Sequence, residues 1–275
     1  MQYPGAALRR ENRCIRRVSH IMDQPRTPSF RLDGRRVLVA GASSGIGLGC
    51  AVALAEMGGY VVMAARGLER LSKAVVAVQT AGFAAEALEL DISDVGAVRA
   101  ALGGQPAFDV LVNAAGMARH GPALQTEPED FATVTDVNLR GAYFLAQTVA
   151  RGQIDGGISG SIITLSSQMG HVGGVERAVY CATKHGIEGF TKAMAIEWGA
   201  YGIRVNTICP TFIRTPLTQT TFDDPDRRRW IEEKIKLGRV GEVEDIMGAV
   251  VFLASDVSAM ITGTALVIDG GWMAG

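Results

Sequence analysis

The stretch from Arg36 to Met57 constrains the fold of this chain more than any other part of its sequence. It begins with an apolar run at 37–40, which is long enough for a buried parallel strand and too short for a helix. Glycines follow at positions 41, 45 and 47, and a helical pattern of apolar residues comes after them. This order predicts an anion site, because the first-turn amides of a helix are free and its dipole is positive there. Ordinary α/β proteins also contain such turns, so further motifs are needed to assign a dinucleotide.

Short apolar runs alternate with helical patterns along the rest of the chain. The predicted strands are 37–40, 60–65, 84–90, 109–112, 161–165, 203–208 and 264–268. The predicted helices are 46–57, 66–81, a short helix from the turn at 91–94 to 102, 128–150, 177–200 and 243–254. This alternation predicts an α/β, single-domain Rossmann fold, a seven-stranded parallel sheet with helices on both faces. Residues 216–237 are polar and poorly patterned.

Size and composition exclude several classes of protein. A chain of 275 residues, 48% of them hydrophobic, suits one large α/β domain, which we place at residues 31–275. A net charge of −1 argues against a nucleic-acid surface, and no apolar run approaches the roughly 18 residues that span a bilayer. The cysteines at 14, 50, 181 and 209 lack the spacing of a zinc site or a disulfide framework. We therefore expect reduced thiols, no metal and a cytoplasmic location.

Residues 1–30 differ in composition from the rest of the chain. Arginines outnumber acids there, and prolines at 4, 25 and 28 interrupt any helix. We expect a disordered extension, or a start assigned upstream of Met22. An organelle-targeting leader is the alternative, because such leaders are rich in arginine and poor in acids.

A tyrosine and a lysine with helical spacing predict acid–base chemistry. Tyr180 and Lys184 are four residues apart and share one face of the helix predicted at 177–200. Ser167 lies thirteen residues before Tyr180, just past a predicted strand. An ammonium and an oxidised nicotinamide beside a tyrosine stabilise its phenolate, which lowers the pKa from its usual value near 10. The phenol can then exchange a proton with an alcohol or carbonyl oxygen, although the spacing alone also fits an ordinary surface pair.

The end of the second predicted strand indicates which dinucleotide binds. Dinucleotide folds usually place an acid there to bind the adenosine ribose, whereas this chain has Arg66 and no acid before Glu69. A guanidinium can bind a 2′-phosphate that an acid would repel. We therefore expect NADP, with NAD as the alternative, and assign Arg66 and Ser43 to the 2′-phosphate. Arg66 could instead begin a solvated helix, and Asp91 either binds the adenine amino group or caps a helix.

Taken together, the motifs resemble those of the short-chain dehydrogenase/reductase family, in its short, single-domain branch. They are GASSGIG at 41–47, NAAG at 113–116, Asn138 within VNL, Ser167, Tyr180 with Lys184, and VIDGG at 267–271. The resemblance covers residues 31–275, and the ordered set is far more specific than any one motif.

The resemblance implies a role for each member of the catalytic set. Tyr180 would be the acid/base, and Lys184 would bind the nicotinamide ribose and lower the tyrosine pKa. Ser167 would orient the substrate oxygen, with Ser166 as its rival. Asn138 would kink its helix and hold a water that relays protons from Lys184.

The resemblance also implies a set of cofactor contacts. They are Gly41, Ser43, Ser44, Gly45, Ile46, Gly47, Arg66, Asp91, Ile92, Asn113, Ala114, Gly116, Tyr180, Lys184, Pro210, Ile213 and Thr215. Three positions depart from the family pattern, with Ala40, Ala114 and Thr211 replacing the usual threonine, asparagine and glycine. The first two changes affect hydrogen bonds that support turns, and the third places a side chain near the nicotinamide or the substrate.

The expected substrate contacts are Ser167, His171, Thr211 and Phe212, with Met117 and His120 as further wall residues. The loop 215–239 is expected to cover the substrate, as long loops beside such sites do. It carries Arg227–Arg229 and Trp230, which form either a basic lid favouring a carboxylate or phosphate, or a solvated charge run.

The resemblance implies an NAD(P)-dependent oxidoreductase acting on a secondary alcohol or ketone, such as a sugar acid, a polyol or a 3-oxoacyl thioester. It also implies a homotetramer paired through the long helices. The alternative is a catalytically silent protein that keeps the fold to sense cofactor or to bind a partner. A sugar-nucleotide epimerase or dehydratase would use similar residues but usually needs a larger substrate domain.

Overall fold

The computed structural model describes residues 24–275, so most of the extension predicted at 1–30 lies outside the described residues, as does Cys14. Residues 24–30 are exposed and form neither helix nor strand. Within the described residues, the strands are β1 Arg36–Ala40, β2 Tyr60–Ala65, β3 Ala85–Glu89, β4 Val110–Asn113, β5 Ser161–Leu165, β6 Arg204–Pro210 and β7 Ala265–Ile268. The helices there are α1 Gly45–Glu56, α2 Leu68–Thr80, α3 Val95–Leu102, α4 Pro128–Thr135, α5 Ala142–Asp155, α6 Ala178–Trp198, α7 Gln219–Phe222, α8 Pro225–Lys234 and α9 Glu244–Ala254.

All seven described strands are parallel and form one sheet in the order β3-β2-β1-β4-β5-β6-β7. The predicted α/β fold class is therefore confirmed. The chain moves outward from β1 to β3 and then returns to β4 on the other side of β1, so the strand order switches between β1 and β4. Ligands of parallel sheets bind at such a switch, outside the carboxyl ends of the strands.

Alternating side chains of β1 enter two separate cores, one on each face of the sheet. Val37 and Val39 pack into the core formed with α1, α2 and α9. Leu38 and Ala40 pack into the core formed with α3, α5 and α6. Because both faces are covered, the central strands are apolar throughout, which explains why continuous runs rather than alternation marked them in the sequence. Within residues 24–275, every helix is too short or too polar to cross a membrane.

Two helical regions differ from the sequence prediction. The helix predicted at 128–150 is interrupted by a π-helical turn at Asp136–Gly141, between α4 and α5. Gly141 packs there against the Ile92 carbonyl oxygen, which an added Cβ would approach to 2.7 Å. The region 216–237 contains α7 and α8 instead of lacking a pattern, and the Asp224 side chain caps α8 by accepting from the amides of Asp226 and Arg227.

Candidate active site

The glycine turn after β1 brings three backbone segments into contact. Gly41 has φ +80°, and an added Cβ would lie 2.7 Å from the Ala115 nitrogen in the segment after β4. A Cβ on Gly47 would overlap the Gly41 carbonyl oxygen, so α1 packs directly on the turn. Gly45 has φ +54°, and its missing side chain leaves room for that of Thr215. Glycine at these positions therefore lets the N-terminus of α1 reach the edge of the sheet.

A groove of about 430 Å³ runs from this turn across the carboxyl ends of β1, β2 and β4. Of the expected cofactor contacts, it is lined by Gly41, Ser43, Ser44, Gly45, Ile46, Gly47, Arg66, Asp91, Ile92, Ala114, Gly116 and Thr215. Within the described part of the chain, the Ser44 side chain makes no capping hydrogen bond at α1. The first-turn amides of α1 therefore remain available to a ligand, and the turn fits a pyrophosphate.

Other expected cofactor residues lie deeper than the groove. Asn113 is 1% exposed, and its Oδ1 accepts a hydrogen bond from the Ala115 amide at 3.2 Å. Ile213 is 2% exposed and packs in the core, so its side chain is unavailable to a ligand. Pro210 ends β6 and pairs with Ile268 of β7. These three residues support the walls of the site rather than line the groove.

The structure adds a second arginine to the adenosine end of the groove. Arg70 lines it together with Arg66, one helical turn further along α2. Both residues are exposed, and neither guanidinium pairs with a carboxylate among residues 24–275. The four-residue spacing from Arg66 was the signal in the sequence that could have identified Arg70.

The Asp91 side chain stabilises the turn in which it lies, at the end of the groove. Its Oδ1 accepts hydrogen bonds from the amide and the hydroxyl of Ser93, at 2.9 and 2.7 Å. The helix-capping alternative for Asp91 is wrong, because Asp94 caps α3 by accepting from the Ala97 amide at 2.9 Å.

The π-helical turn positions Asn138 against the segment that follows β4. The buried Asn138 amide donates to the Met117 carbonyl oxygen at 2.8 Å and accepts from the Met117 amide at 2.9 Å. π-turns within helices commonly occur at functional sites. Gly116 lies between this amide and Lys184, since its missing Cβ would sit 3.4 Å from Asn138 Oδ1 and 4.0 Å from Lys184 Nζ.

Lys184 is a buried cation tied to the end of β5. Its ammonium donates a hydrogen bond of 2.7 Å to the Leu165 carbonyl oxygen, and the residue is 4% exposed. Burial lowers the pKa of Lys184 to about 8, although the nearby Glu188 carboxylate favours the charged form. The ammonium lies 5.5 Å from the ring centroid of Tyr180, so the pair predicted from helical spacing is formed.

Tyr180 and Ser167 meet beside this ammonium. Burial raises the pKa of Tyr180, while hydrogen bonding to Ser167 and the positive charge of Arg177 act in the opposite direction. The protein alone therefore does not produce the lowered phenol pKa predicted from the sequence, and that lowering requires a further positive charge such as an oxidised nicotinamide. Ser167 lowers the pKa of Tyr180, whereas Ser166 acts on the pKa of Cys209, which favours Ser167 over Ser166 as the serine of the site.

A polar layer lies behind Lys184. His171 Nε2 is 3.9 Å from the buried Glu188 carboxylate, which accepts hydrogen bonds from the Thr207 hydroxyl and the Cys209 thiol. Burial, followed by the negative charge of Glu188, raises the pKa of Cys209 to about 12, so the thiol stays protonated. His171, expected from the sequence to contact the substrate, thus faces this layer.

A second cavity, of about 550 Å³, lies beyond Ser167. Its walls are Met169, Gly173, Gly174, Val175, Arg177, Phe212, Arg227, Trp230, Ile231, Lys234, Trp272 and Gly275. Helix α8 covers this cavity and is anchored by the buried Ile231 and Ile235. Phe212 lines this cavity, whereas the Thr211 amide donates to the Ile268 carbonyl oxygen. The ring of His120 lies 6.1 Å from that of Tyr180, edge-on.

Replacing Lys184 by methionine tests its buried charge. Between pH 7 and 9.5 the unfolded lysine keeps a proton that the folded one loses, so the cost of burying the charge is relieved as the pH rises. The unfolding free energies of the parent and of Lys184→Met are measured with urea. We expect the parent-minus-variant difference to rise by about 2 kcal/mol over this range.

The control is Lys192→Met, because Lys192 is an exposed lysine on the same helix. A parent-minus-variant difference for Lys184 that stayed constant, or fell with pH, would contradict the assignment of a depressed pKa.

Comparisons with known proteins agree with this geometry. The family model described as Enoyl-(Acyl carrier protein) reductase matches residues 41–273. The L-xylulose reductase of Homo sapiens is 40% identical over 243 residues, which are 88% of this chain and 98% of that protein. The structure of a gluconate 5-dehydrogenase from Burkholderia cenocepacia J2315 in complex with NADP and tartrate is 37% identical, with a TM-score of 0.86 and coverage of 90% and 98%.

A short-chain type dehydrogenase/reductase from Mycobacterium marinum is 36% identical, with a TM-score of 0.85 over 90% of this chain and 98% of that one. Family model, sequence relatives and structural neighbours agree, and the glycine turn of this chain lies at the edge of the sheet where the groove runs. The chain therefore belongs to the short-chain dehydrogenase/reductase family and is an NAD(P)-dependent oxidoreductase acting on CH–OH groups.

Proposed function

We propose that this enzyme interconverts a ketone and a secondary alcohol on a small sugar or polyol, with NADP as the preferred cofactor and Tyr180 as the acid/base. The observation that carries the proposal is the meeting of Tyr180, Ser167 and Lys184 at the carboxyl edge of the sheet, beside the glycine groove. Each of these residues has a chemical task there that an ordinary surface pair would not have.

In the direction of reduction, the Ser167 hydroxyl binds the carbonyl oxygen of the substrate. A bound NADPH would supply a hydride for the carbonyl carbon, and the Tyr180 phenol would supply a proton for the oxygen. In oxidation, the Tyr180 phenolate would take the hydroxyl proton while NADP⁺ would accept the hydride from the same carbon. Lys184 lies close enough to stabilise the phenolate, and Asn138 connects this region to the segment after β4. The phenol can regain its proton by way of Lys184 and the Asn138 region.

Relatives and cavity together support the substrate class. The similar proteins include an L-xylulose reductase and a gluconate 5-dehydrogenase, whose names give sugar substrates. The cavity beyond Ser167 combines aromatic walls, which can pack on the C–H faces of a sugar, with charged side chains. The 3-oxoacyl thioester considered from the resemblance is less well supported, because an acyl chain would place apolar atoms beside Arg177, Arg227 and Lys234.

The adenosine end of the groove supports NADP. Ser43, Arg66 and Arg70 line it, so two guanidinium groups and a hydroxyl can surround a 2′-phosphate. β2 ends at Ala65 and is followed by Arg66, so the position that carries an acid in a usual NAD site holds a cation here. Arg66 and Arg70 would add the charge-assisted hydrogen bonds that distinguish the two cofactors.

We also propose a homotetramer, as the family resemblance implies. Phe131 is 51% exposed on α4, Tyr143 is 39% exposed on α5 and Ile196 is 83% exposed on α6. An open apolar groove containing Leu139, Tyr143 and Phe190 lies between these helices. Pairing of two copies through this face would bury it, and light scattering should then give the mass of four chains.

Replacing Tyr180 by phenylalanine tests the proposed function most directly. The variant keeps the ring and loses the exchangeable proton, so kcat for ketone reduction should fall by about 100- to 10,000-fold while NADPH still binds. The measurement is the loss of nicotinamide absorbance with a panel of ketoses, followed in the parent and the variant.

Tyr201→Phe is the matched control, since Tyr201 is 49% exposed and lies beyond the end of α6. Unchanged kcat in Tyr180→Phe would contradict the proposal. Tight NADP binding without turnover of any substrate by the parent would favour the catalytically silent alternative.

Replacing Arg66 by alanine tests the choice of cofactor. Loss of charge-assisted hydrogen bonds to a 2′-phosphate should raise the Kd for NADP by about 10-fold to 100-fold and leave that for NAD nearly unchanged. Calorimetric titration measures both constants, and Arg151→Ala, an exposed arginine on α5, is the control. Equal changes for the two cofactors would refute the assignment of Arg66.

A further inference from the structure

We propose that the substrate carries a carboxylate bound by Arg177, so that this enzyme prefers keto sugar acids to neutral ketoses. The inference rests on the proposed function and deepens it by naming the substrate class and the residue that selects it. Arg177 is not part of the motif set in the sequence, and its position emerges only from the folded chain.

Arg177 stands between the reacting groups and the second cavity. It immediately precedes α6 and lies three residues before Tyr180, close enough for its positive charge to favour the phenolate. Its guanidinium also lines the cavity that begins at Met169, two residues past Ser167. A substrate whose reacting oxygen contacts Ser167 and Tyr180 would therefore extend its remaining atoms toward Arg177.

The Arg177 side chain is a half-buried cation without a counter-ion. Its Nη1 donates to the Val175 carbonyl oxygen at 3.1 Å, and no carboxylate among residues 24–275 lies within ion-pair distance of it. Burial, and then the positive charge of Arg227, lower its pKa. A cation held in this way is costly, and an anionic group on a ligand would offset that cost.

Neighbouring arginines are paired, which distinguishes them from Arg177. Arg227 pairs with the Glu176 carboxylate at 3.3 Å, and Arg228 pairs with Glu232 at 2.9 Å. Glu176 has φ +59°, a left-handed conformation that is unusual for a residue other than glycine. Such conformations concentrate at functional sites. Glu176, which is next to Arg177 in sequence, thus forms its ion pair with Arg227 and not with Arg177.

The other cations of the wall differ from Arg177, because Arg227 pairs with Glu176 and Lys234 is exposed. Burial, with the charges of Arg177 and Arg227, lowers the pKa of His120 to about 4, so this imidazole is neutral at pH 7. Phe212 packs 5.6 Å from the Arg177 guanidinium and holds it against an aromatic face.

The test compares ketones that differ in charge. Reduction of 5-keto-D-gluconate, the neutral ketose L-xylulose and the phosphorylated ketose D-xylulose 5-phosphate is followed with NADPH in the parent, Arg177→Gln and Arg228→Gln. The parent should show the highest kcat/KM with the keto acid. In Arg177→Gln, the ratio of keto acid to neutral ketose should fall by about 10- to 100-fold. The ratio is the readout because the loss of charge beside Tyr180 alters turnover of all substrates alike.

Arg228→Gln is the matched control, because it removes an arginine of α8 that pairs with Glu232 and should leave the ratio unchanged. A second readout is independent of turnover. D-Gluconate should raise the melting temperature of the parent in the presence of NADPH, a pair that cannot react, and should not raise that of Arg177→Gln.

Preference of the parent for L-xylulose, or an equal loss on all substrates in Arg177→Gln, would overturn the inference. Preference for the phosphorylated ketose would overturn the assignment of a carboxylate. If no ketone is turned over while NADPH still binds, the proposed function fails and this inference fails with it. Turnover of neutral ketoses alone leaves the proposed function intact and refutes only the carboxylate.

Discussion

The hydrogen bond from the Lys184 ammonium to the Leu165 carbonyl oxygen ties the reacting end of the molecule to its sheet. A buried ammonium needs an acceptor, and the last residue of β5 supplies one. This bond fixes the start of α6 relative to β5, so Tyr180 and Ser167, each near one end of it, face each other. Gly116 lies beside this arrangement, where an added Cβ would be in van der Waals contact with Asn138 Oδ1 and Lys184 Nζ.

Positive charge is distributed along the site in a way that suits anions at both ends. The free amides of α1 and the arginines at 66 and 70 surround the groove, and Arg177 stands at the opposite side of Tyr180. Burial raises the pKa of the phenol between them, so Tyr180 holds the proton that reduction requires. In oxidation, the positive charge of an oxidised nicotinamide would favour the phenolate.

The sequence predicted the sheet well and the helical covering less well. Strands such as Tyr60–Ala65 and Ser161–Leu165 were predicted with their exact bounds, because a buried parallel strand is a continuous apolar run with sharp ends. The π-turn around Asn138 was not predicted as such, since it follows from the packing of Gly141 on a distant carbonyl. Helix α8 was missed although Asp224 and Pro225 are a standard helix start, because most of its exposed residues are charged and mask an apolar pattern.

The sequence also predicted some residues of the candidate site better than others. The helical spacing predicted that Tyr180 and Lys184 share one face, and the ordered set of motifs distinguished them from an ordinary surface pair. Ile213 was assigned to the cofactor, yet its side chain is core, and a motif cannot distinguish backbone contacts from side-chain contacts. Arg177 was not identified at all, since its importance comes from the absence of a partner within the described residues, which only the fold reveals.

The central claim is that the glycine turn and Tyr180 serve one bound dinucleotide. A crystal structure of the protein with NADP measures this directly. The account predicts the pyrophosphate on the first-turn amides of α1, the 2′-phosphate between Arg66 and Arg70, and the nicotinamide ring beside Tyr180. A pyrophosphate bound elsewhere, or a nicotinamide ring remote from Tyr180, would contradict it.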